Sequence, residues 1–490
     1  MSEHRHVVII GAGLGGLGAA IKLRRKGIED ILLLEASDSP GGTWRDNTYP
    51  GCQCDIPSAL YSLSCAPNPH WTTTFPLQAE IQQYVLDVVA RFGLTPMIRY
   101  RTEMLGARWD DDHQRWVVST STGQLTCTVL VVAIGFLSEP SVPDLPGLDT
   151  FSGTAFHTAR WNHDVELSGR RVAVVGSGAS AIQVIPEIAP RAGRLDVYLR
   201  TPTWVLPHPN RPVARLERRV YAALPAVQTL RRWWTYAVAE SRHAVVTRSG
   251  PLNAVARAVG RANIRRAVRD PGLAAALVPD YDLGCKRVLL SNRYYPALAR
   301  TNVEVIRSGV TGVTADGLID DTQTQRPADV IVFATGFRIT HRSAHALIRG
   351  RDGQRLSDNF AEHGAYLGST AAGFPNLFCI GGPTSGVGHT SFLFMLECQQ
   401  HYVAEAVSVL ARCDLASAEV RSRAQQHYFA MIQDRTRRRV WSSGCTSWFL
   451  DERGRNVAVY PGHSYEFWRR TRRFDLGSYV VHQRSTPRKG

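Results

Sequence analysis

Apolar residues in this chain gather in short solid runs, each followed by closely spaced glycines and then by a stretch with apolar positions three and four residues apart. Val7-Val8-Ile9-Ile10 runs into GAGLGG and a stretch that ends before Gly27, and Arg171-Val172-Ala173-Val174-Val175 runs into GSGASA and a stretch through Ile188. A solid apolar run bounded by turn residues is the pattern of a strand buried on both faces, and the three-and-four spacing is that of a helix. Further apolar runs at 31–34 and 195–199 complete each unit. The pattern predicts two βαβ units and an α/β fold built on parallel sheets.

Elsewhere the pattern predicts an irregular loop at 41–55, a helix over 81–92, a hairpin-like region over 97–128 and a strand over 129–133. Pro140, Pro143 and Pro146 mark a linker into the second unit. From 203 to 285, alanine and leucine recur at helical spacing among many arginines, which predicts a helical insert. DVIVFATGF at 329–337 returns to strand. GFPNLFCIGG at 373–382 predicts another strand and turn, followed by a helix over 391–410 that goes back to the first unit and makes it discontinuous.

The glycine-rich turns bring in chemistry. Gly11, Gly13 and Gly16 stand where a dinucleotide fingerprint needs a tight turn, close approach to a pyrophosphate and close packing of helix on strand. Gly176, Gly178 and Ala181 repeat that spacing. The residue at the end of the partner strand is offset equally in both units, Glu35 in the first and Arg200 in the second. A carboxylate accepts ribose hydroxyls and repels a 2′-phosphate, whereas a guanidinium forms a fork to it. The first unit therefore predicts FAD and the second NADP, with Thr201 beside the phosphate. The expected division is residues 1–145 with 338–445 for FAD, 146–202 with 286–337 for NADP, 203–285 for the insert, and a C-terminal segment, 446–490, near the active site.

Composition bounds the rest. With 490 residues, 44% of them hydrophobic, the chain can bury two or three domain cores. No apolar run reaches the roughly 18 residues of a membrane span, since the best candidate, 221–239, is cut by Arg231 and Arg232. MSEHRH carries no apolar stretch of the signal-peptide kind, so a cytoplasmic location is expected. The formal charge of +15 suits a polyanion partner, yet lysine occurs at only four positions and the arginine runs at 435–439 and 469–473 lie far from the motifs. We expect no nucleic-acid partner. Nine scattered cysteines form no disulfide framework, and Cys52 and Cys54 are too close for a redox pair and have no histidine at ligand spacing, so no metal site is expected.

Two further strings carry a family resemblance. FSGTAFHTARW, through Phe151, Gly153, His157 and Trp161, and GGTWRDNTYPGCQCD, through Gly41, Gly42, Trp44, Tyr49, Pro50, Gly51 and Asp55, resemble the signatures of type I Baeyer-Villiger monooxygenases. The likeness extends over nearly the whole chain, including Cys285-Lys286-Arg287 and Ser447-Trp448. Asn162 departs from the family's usual proline or aspartate. Trp161 favours the ketone-oxidising branch over the sister flavin-containing monooxygenases, and the stretches at 382–403 and 441–456 are similar to hydroxyacetophenone-type members.

The resemblance implies an NADPH- and O2-dependent flavoprotein with two Rossmann-like domains that converts a ketone to an ester or lactone through a C4a-peroxyflavin and a tetrahedral adduct. It implies that Arg287 holds the anionic species and that Asp55 orients Arg287. It also implies cofactor contacts from Gly42, Thr43, Trp44, Tyr61, Lys286 and Trp448, and a conformational role for His157. Oxygenation of nitrogen or sulfur by the same flavin is the alternative, and a flavin-dependent NADPH reductase is a more distant one.

Overall fold

The computed structural model describes residues 3–339, 343–445 and 447–484. Two sheets organise it, one mixed and one all-parallel. In the first, strand Glu3–Ile10 lies between Ile31–Leu34 and Gly123–Val132, paired in parallel as Val7 to Ile31 and Val7 to Val129. Val7, Val8 and Ile9 have no exposed surface, as the unbroken apolar run predicts. Ile98–Arg99 extends one edge, and Arg115–Thr120, Met104–Asp110 and Ile348–Arg349 extend the other. Leu377–Cys379 also pairs with Gly123–Val132, as Leu377 to Leu130, so the late strand does return to the first sheet.

The second sheet has five parallel strands, in the order Val303–Ile306, Arg194–Tyr198, Arg171–Val175, Val330–Phe333 and Thr154–His157. The last of these comes from the FSGTAFHTARW string and forms an edge strand of the second sheet, with His157 opposite Phe333. One apolar cluster runs from Val7, Ile9 and Leu33 through Val172, Val174 and Leu195 to the helix Phe392–Arg412, so the units share a core.

Helices fill the expected insert: Arg215–Ala223, Pro225–Ser241, His243–Thr247, Pro251–Ala267 and Pro271–Ala276. The candidate span at 221–239 is split at Pro225, a residue that starts a helix readily and cannot continue one. Among the described residues no helix is long and apolar enough to cross a membrane. Of the expected C-terminal segment, residue 446 and residues 485–490 lie outside the described residues.

The structure corrects the cysteine reading. Cys285 and Cys445, 160 residues apart, form a disulfide with their Cα atoms 6.4 Å apart. That separation lies in the normal range for a bridge. No local spacing announces a pair that only the tertiary fold brings together.

Candidate active site

A cavity of about 1150 Å³ opens at the carboxyl ends of the parallel strands of both sheets, where Ile10, Leu34, Val175, Tyr198 and Ala334 reach its wall. Ligands of open α/β sheets bind at such strand ends. Both glycine turns face it, through Gly11 and Gly13 on one side and Gly176 and Gly178 on the other.

The turns are shaped for an anion. Helices Leu14–Arg24 and Ala179–Ile188 have Gly13 and Gly178 at their N-caps, and neither is capped by a side chain. The first N–H groups of a helix need partners, and the helix dipole favours negative charge there. A Cβ on Gly178 would have no atom within 4 Å, which leaves room for a phosphate. Gly16 serves packing instead, because a Cβ there would lie 2.0 Å from the Gly11 carbonyl oxygen. Ala181, at the equivalent point of the second unit, is fully buried behind its turn.

On the first side Glu35 is buried beside the cavity. Its Oε2 accepts the Ala12 N–H at 2.9 Å, and its Oε1 accepts the Ser37 N–H at 3.0 Å and an Arg45 N–H at 2.9 Å. Each carboxylate oxygen has two lone pairs, so Oε2 keeps one for a ribose hydroxyl. Gly42, Thr43 and Trp44 line the same wall. The Trp44 indole donates to the Tyr61 hydroxyl at 2.9 Å, and the rings meet edge to face at 5.5 Å.

On the second side Arg200 is exposed and Thr201 half-buried, and both line the cavity. Lys286 lies over the Tyr281 ring at 5.1 Å. Burial and then the charge of Arg200 pull the Lys286 pKa below its usual value. Two cations that repel each other beside an uncapped helix end are what a 2′-phosphate would satisfy.

Arg287 and Asp55 join the two sides. The guanidinium donates from Nε to Oδ2 at 2.8 Å and from Nη2 to Oδ1 at 2.7 Å, the two-point fork that arginine and carboxylate geometry allows. The Asp55 charge raises the Arg287 pKa further, so the group stays a cation at any working pH. Asp55 is 22% exposed and Arg287 39% exposed, and both line the cavity. Trp448, against Phe449 with ring centroids 4.3 Å apart, contributes to the wall from the C-terminal side.

The fingerprint string stands apart. Arg160 reaches the cavity, whereas Phe151, Gly153, His157 and Trp161 are absent from its lining. His157 is buried, and its Nδ1 accepts the Ala159 N–H at 3.0 Å. Burial lowers its pKa to about 4, so it is neutral at working pH. Trp161 packs edge-on against Phe156 at 5.0 Å.

Comparison with known proteins decides the family. Residues 8–232 match the family model described as pyridine nucleotide-disulphide oxidoreductase. A Baeyer-Villiger monooxygenase of Streptomyces coelicolor is 45% identical over 482 residues, covering 98% of this chain and 93% of that protein. The chain belongs to the Baeyer-Villiger monooxygenase family. A second family member, from Pseudomonas aeruginosa, is 41% identical and covers 99% of this monooxygenase and 93% of its own length. The crystal structure of OTEMO in complex with FAD and NADP has a TM-score of 0.89 at 26% identity, covering 98% of this chain and 100% of that one.

Burial pushes the Cys52 thiol of the monooxygenase up to about 12 and raises that of Cys54 as well. Neither is a thiolate at neutral pH, so the pair does not support disulfide exchange. Two groups at the monooxygenase's site escaped the motifs. Arg45 braces Glu35, and Gln183 joins the two units, accepting from the Tyr49 hydroxyl at 2.8 Å and donating to the Gln53 carbonyl at 2.9 Å. Arg45 lies inside the 41–55 signature and was within reach of a sequence argument. Gln183 sits in an ordinary helix and was not.

Proposed function

We propose that this chain uses FAD, NADPH and O2 to insert one oxygen atom beside the carbonyl of a ketone, giving an ester or lactone. The observation that carries the proposal is the two-point Arg287–Asp55 pair, set in one cavity between two uncapped glycine turns. FAD fits the turn beside Glu35, whose carboxylate suits ribose hydroxyls, and NADPH fits the turn beside Arg200, Thr201 and Lys286. When bound, NADPH supplies the hydride and the flavin supplies the oxygen-activating redox chemistry.

The chain's own part is positioning and charge. Attack on a ketone turns its carbonyl oxygen into an oxyanion, and a donor aimed at that oxygen in a shielded site is worth about 2.7–4 kcal/mol of barrier. Arg287 supplies a charge that no proton transfer removes. Asp55 fixes the plane of the guanidinium by holding two of its N–H groups, leaving the others for the cavity. Trp448, in the cavity wall, would close over the nicotinamide or the ketone. His157, neutral and held in an edge strand, acts at a distance by coupling the second sheet to the loop that bears Arg160.

We read the domains as 1–145 with 338–445 for FAD, 146–202 with 286–337 for NADP, 203–285 as the helical insert, and 446–490 as a C-terminal segment near the active site. Because NADPH is an intracellular reductant, the proposal places the enzyme in the cytoplasm, with a small ketone and O2 as its partners and no nucleic acid.

The deciding experiment incubates the FAD-loaded protein with NADPH, 18O2 and a panel of aliphatic, cyclic and aryl ketones, alongside thioethers and amines. An ester or lactone carrying one 18O atom supports the proposal. Sulfoxide or N-oxide as the sole oxygenated product overturns it in favour of the sister chemistry. NADPH consumption with label only in hydrogen peroxide or water overturns both.

A further inference from the structure

Away from the nucleotide sites, three histidines and a glutamate converge from three stretches of the sequence. Glu240 lies at the end of helix Pro225–Ser241, and His243 begins helix His243–Thr247, both in the insert. His389 stands between the cavity-lining residues Gly388 and Thr390. His463 directly precedes helix Ser464–Arg470.

We propose that Glu240, His243, His389 and His463 bind one divalent transition-metal ion of the zinc class and so fasten the insert to the wall of the active-site cavity. Ligand atoms of Glu240, His389 and His463 all lie within 4.8 Å of one another. Glu240 Oε1 is 3.2 Å from His389 Nε2, and Glu240 Oε2 is 2.9 Å from His463 Nδ1. Ligands at about 2.0–2.1 Å from a tetrahedral ion stand roughly 3.3 Å from each other, so these two pairs need move only by tenths of an ångström.

A second observation points the same way. His243 is 3% exposed, and its Nε2 is buried with no hydrogen-bond partner among the described residues. A buried, unpaired imidazole nitrogen costs stability and calls for an explanation, and an ion held by the neighbouring rings provides one. The His243 ring centroid lies 4.0 Å from that of His463 and 4.8 Å from that of His389, which sets a fourth imidazole against the cluster. The carboxylate is itself supported, because Glu240 Oε1 accepts the Ser464 N–H at 3.1 Å and the Ser464 hydroxyl, while the Tyr236 hydroxyl lies 2.9 Å from the same Ser464 oxygen. Ligands in metal sites are commonly oriented by such outer partners. Three imidazoles and one carboxylate form a closed set suited to a structural ion.

The test uses the FAD-loaded enzyme after chelator treatment. It is titrated with Zn2+ by calorimetry and with Co2+ by visible spectroscopy, and the flavin spectrum reports that the fold is intact. One Zn2+ per chain is expected, together with the intense visible bands of four-coordinate Co2+. His463→Gln, at the most exposed ligand, and Glu240→Gln are each expected to weaken binding by at least roughly tenfold, the low end of the cost of losing even a supporting residue. Less than one ion per chain at saturation, octahedral Co2+ bands, or unchanged affinity in folded His463→Gln would overturn the proposal. Should Glu240→Gln fail to retain flavin, His463→Gln and His389→Ala decide the matter.

Discussion

Arg287 and Asp55, 232 positions apart in the chain, meet through two hydrogen bonds of 2.8 and 2.7 Å in the wall of the cavity. The carboxylate sets the direction of a charge that the arginine alone would carry on a mobile stem. Arg287→Ala is expected to lower kcat for ketone oxygenation by about a hundredfold or more, with the flavin still bound and still reduced by NADPH. Arg287→Lys keeps the charge and loses the fork, so it should fall between. Asp55→Ala should cost about a hundredfold at most, since it misplaces the charge without removing it. Steady-state product formation and anaerobic flavin reduction, measured side by side, separate these steps. Equal losses in both would show that Arg287 acts on cofactor binding instead.

Arg200 and Lys286 make a different prediction. Charge-assisted bonds to a 2′-phosphate are worth about 1.5–3 kcal/mol, so Arg200→Ala should lower kcat/KM for NADPH roughly tenfold to a hundredfold and leave that for NADH almost unchanged. The ratio of the two is the quantity to follow. A parallel fall with both nucleotides would remove Arg200 from the phosphate site.

Two glycines should fail in opposite ways. A methyl on Gly16 meets the Gly11 carbonyl oxygen at 2.0 Å, whereas one on Gly178 meets no protein atom within 4 Å. Gly16→Ala is therefore expected to lower the melting temperature and release FAD, because backbone must move. Gly178→Ala should leave the melting temperature unchanged and raise KM for NADPH. Thermal melts followed by flavin fluorescence, together with NADPH kinetics, report both effects. A stable, FAD-loaded Gly16→Ala would refute the packing argument.

His157 gives the chain a predictable acid response. Its ordinary pKa of 6.5 drops to about 4 in the fold because burial disfavours the charged ring. Above pH 6.5 the ring is neutral whether folded or unfolded and contributes no pH dependence. Between 6.5 and about 4 only the unfolded chain takes up the proton, so stability falls as the pH falls, by at most about 3 kcal/mol. His157→Gln should flatten the melting temperature across that window. An acid limb parallel to that of the parent chain would show that other groups set it.

Much of this architecture was legible in the residues, for local reasons. A glycine turn after a buried strand is a contiguous signal, so both nucleotide units and the contrast of Glu35 with Arg200 were readable. The run GFPNLFCIGG was apolar enough to announce the return strand Leu377–Cys379. Long-range meetings left no such trace. Cys285 with Cys445, Gln183 with Tyr49, and Glu240 with His389 and His463 are each joined only by the finished fold. Trp161 and His157 were recognisable as a motif, yet their place at a sheet edge depended on the pairing of Thr154–His157 with Val330–Phe333, which apolar alternation over four residues does not specify.

The strand Leu377–Cys379 also dictates an order of events during synthesis. It completes the first sheet against Gly123–Val132, so the ribosome must deliver the entire second sheet and the helical insert before the first sheet can close. Until then Leu130 and Val131 present an open strand flank, the kind of surface that recruits chaperones or neighbouring nascent chains. A chain stopped before Leu377 leaves the first sheet without its closing strand. The second sheet is thus nested inside the first, and the outer sheet is the last to close.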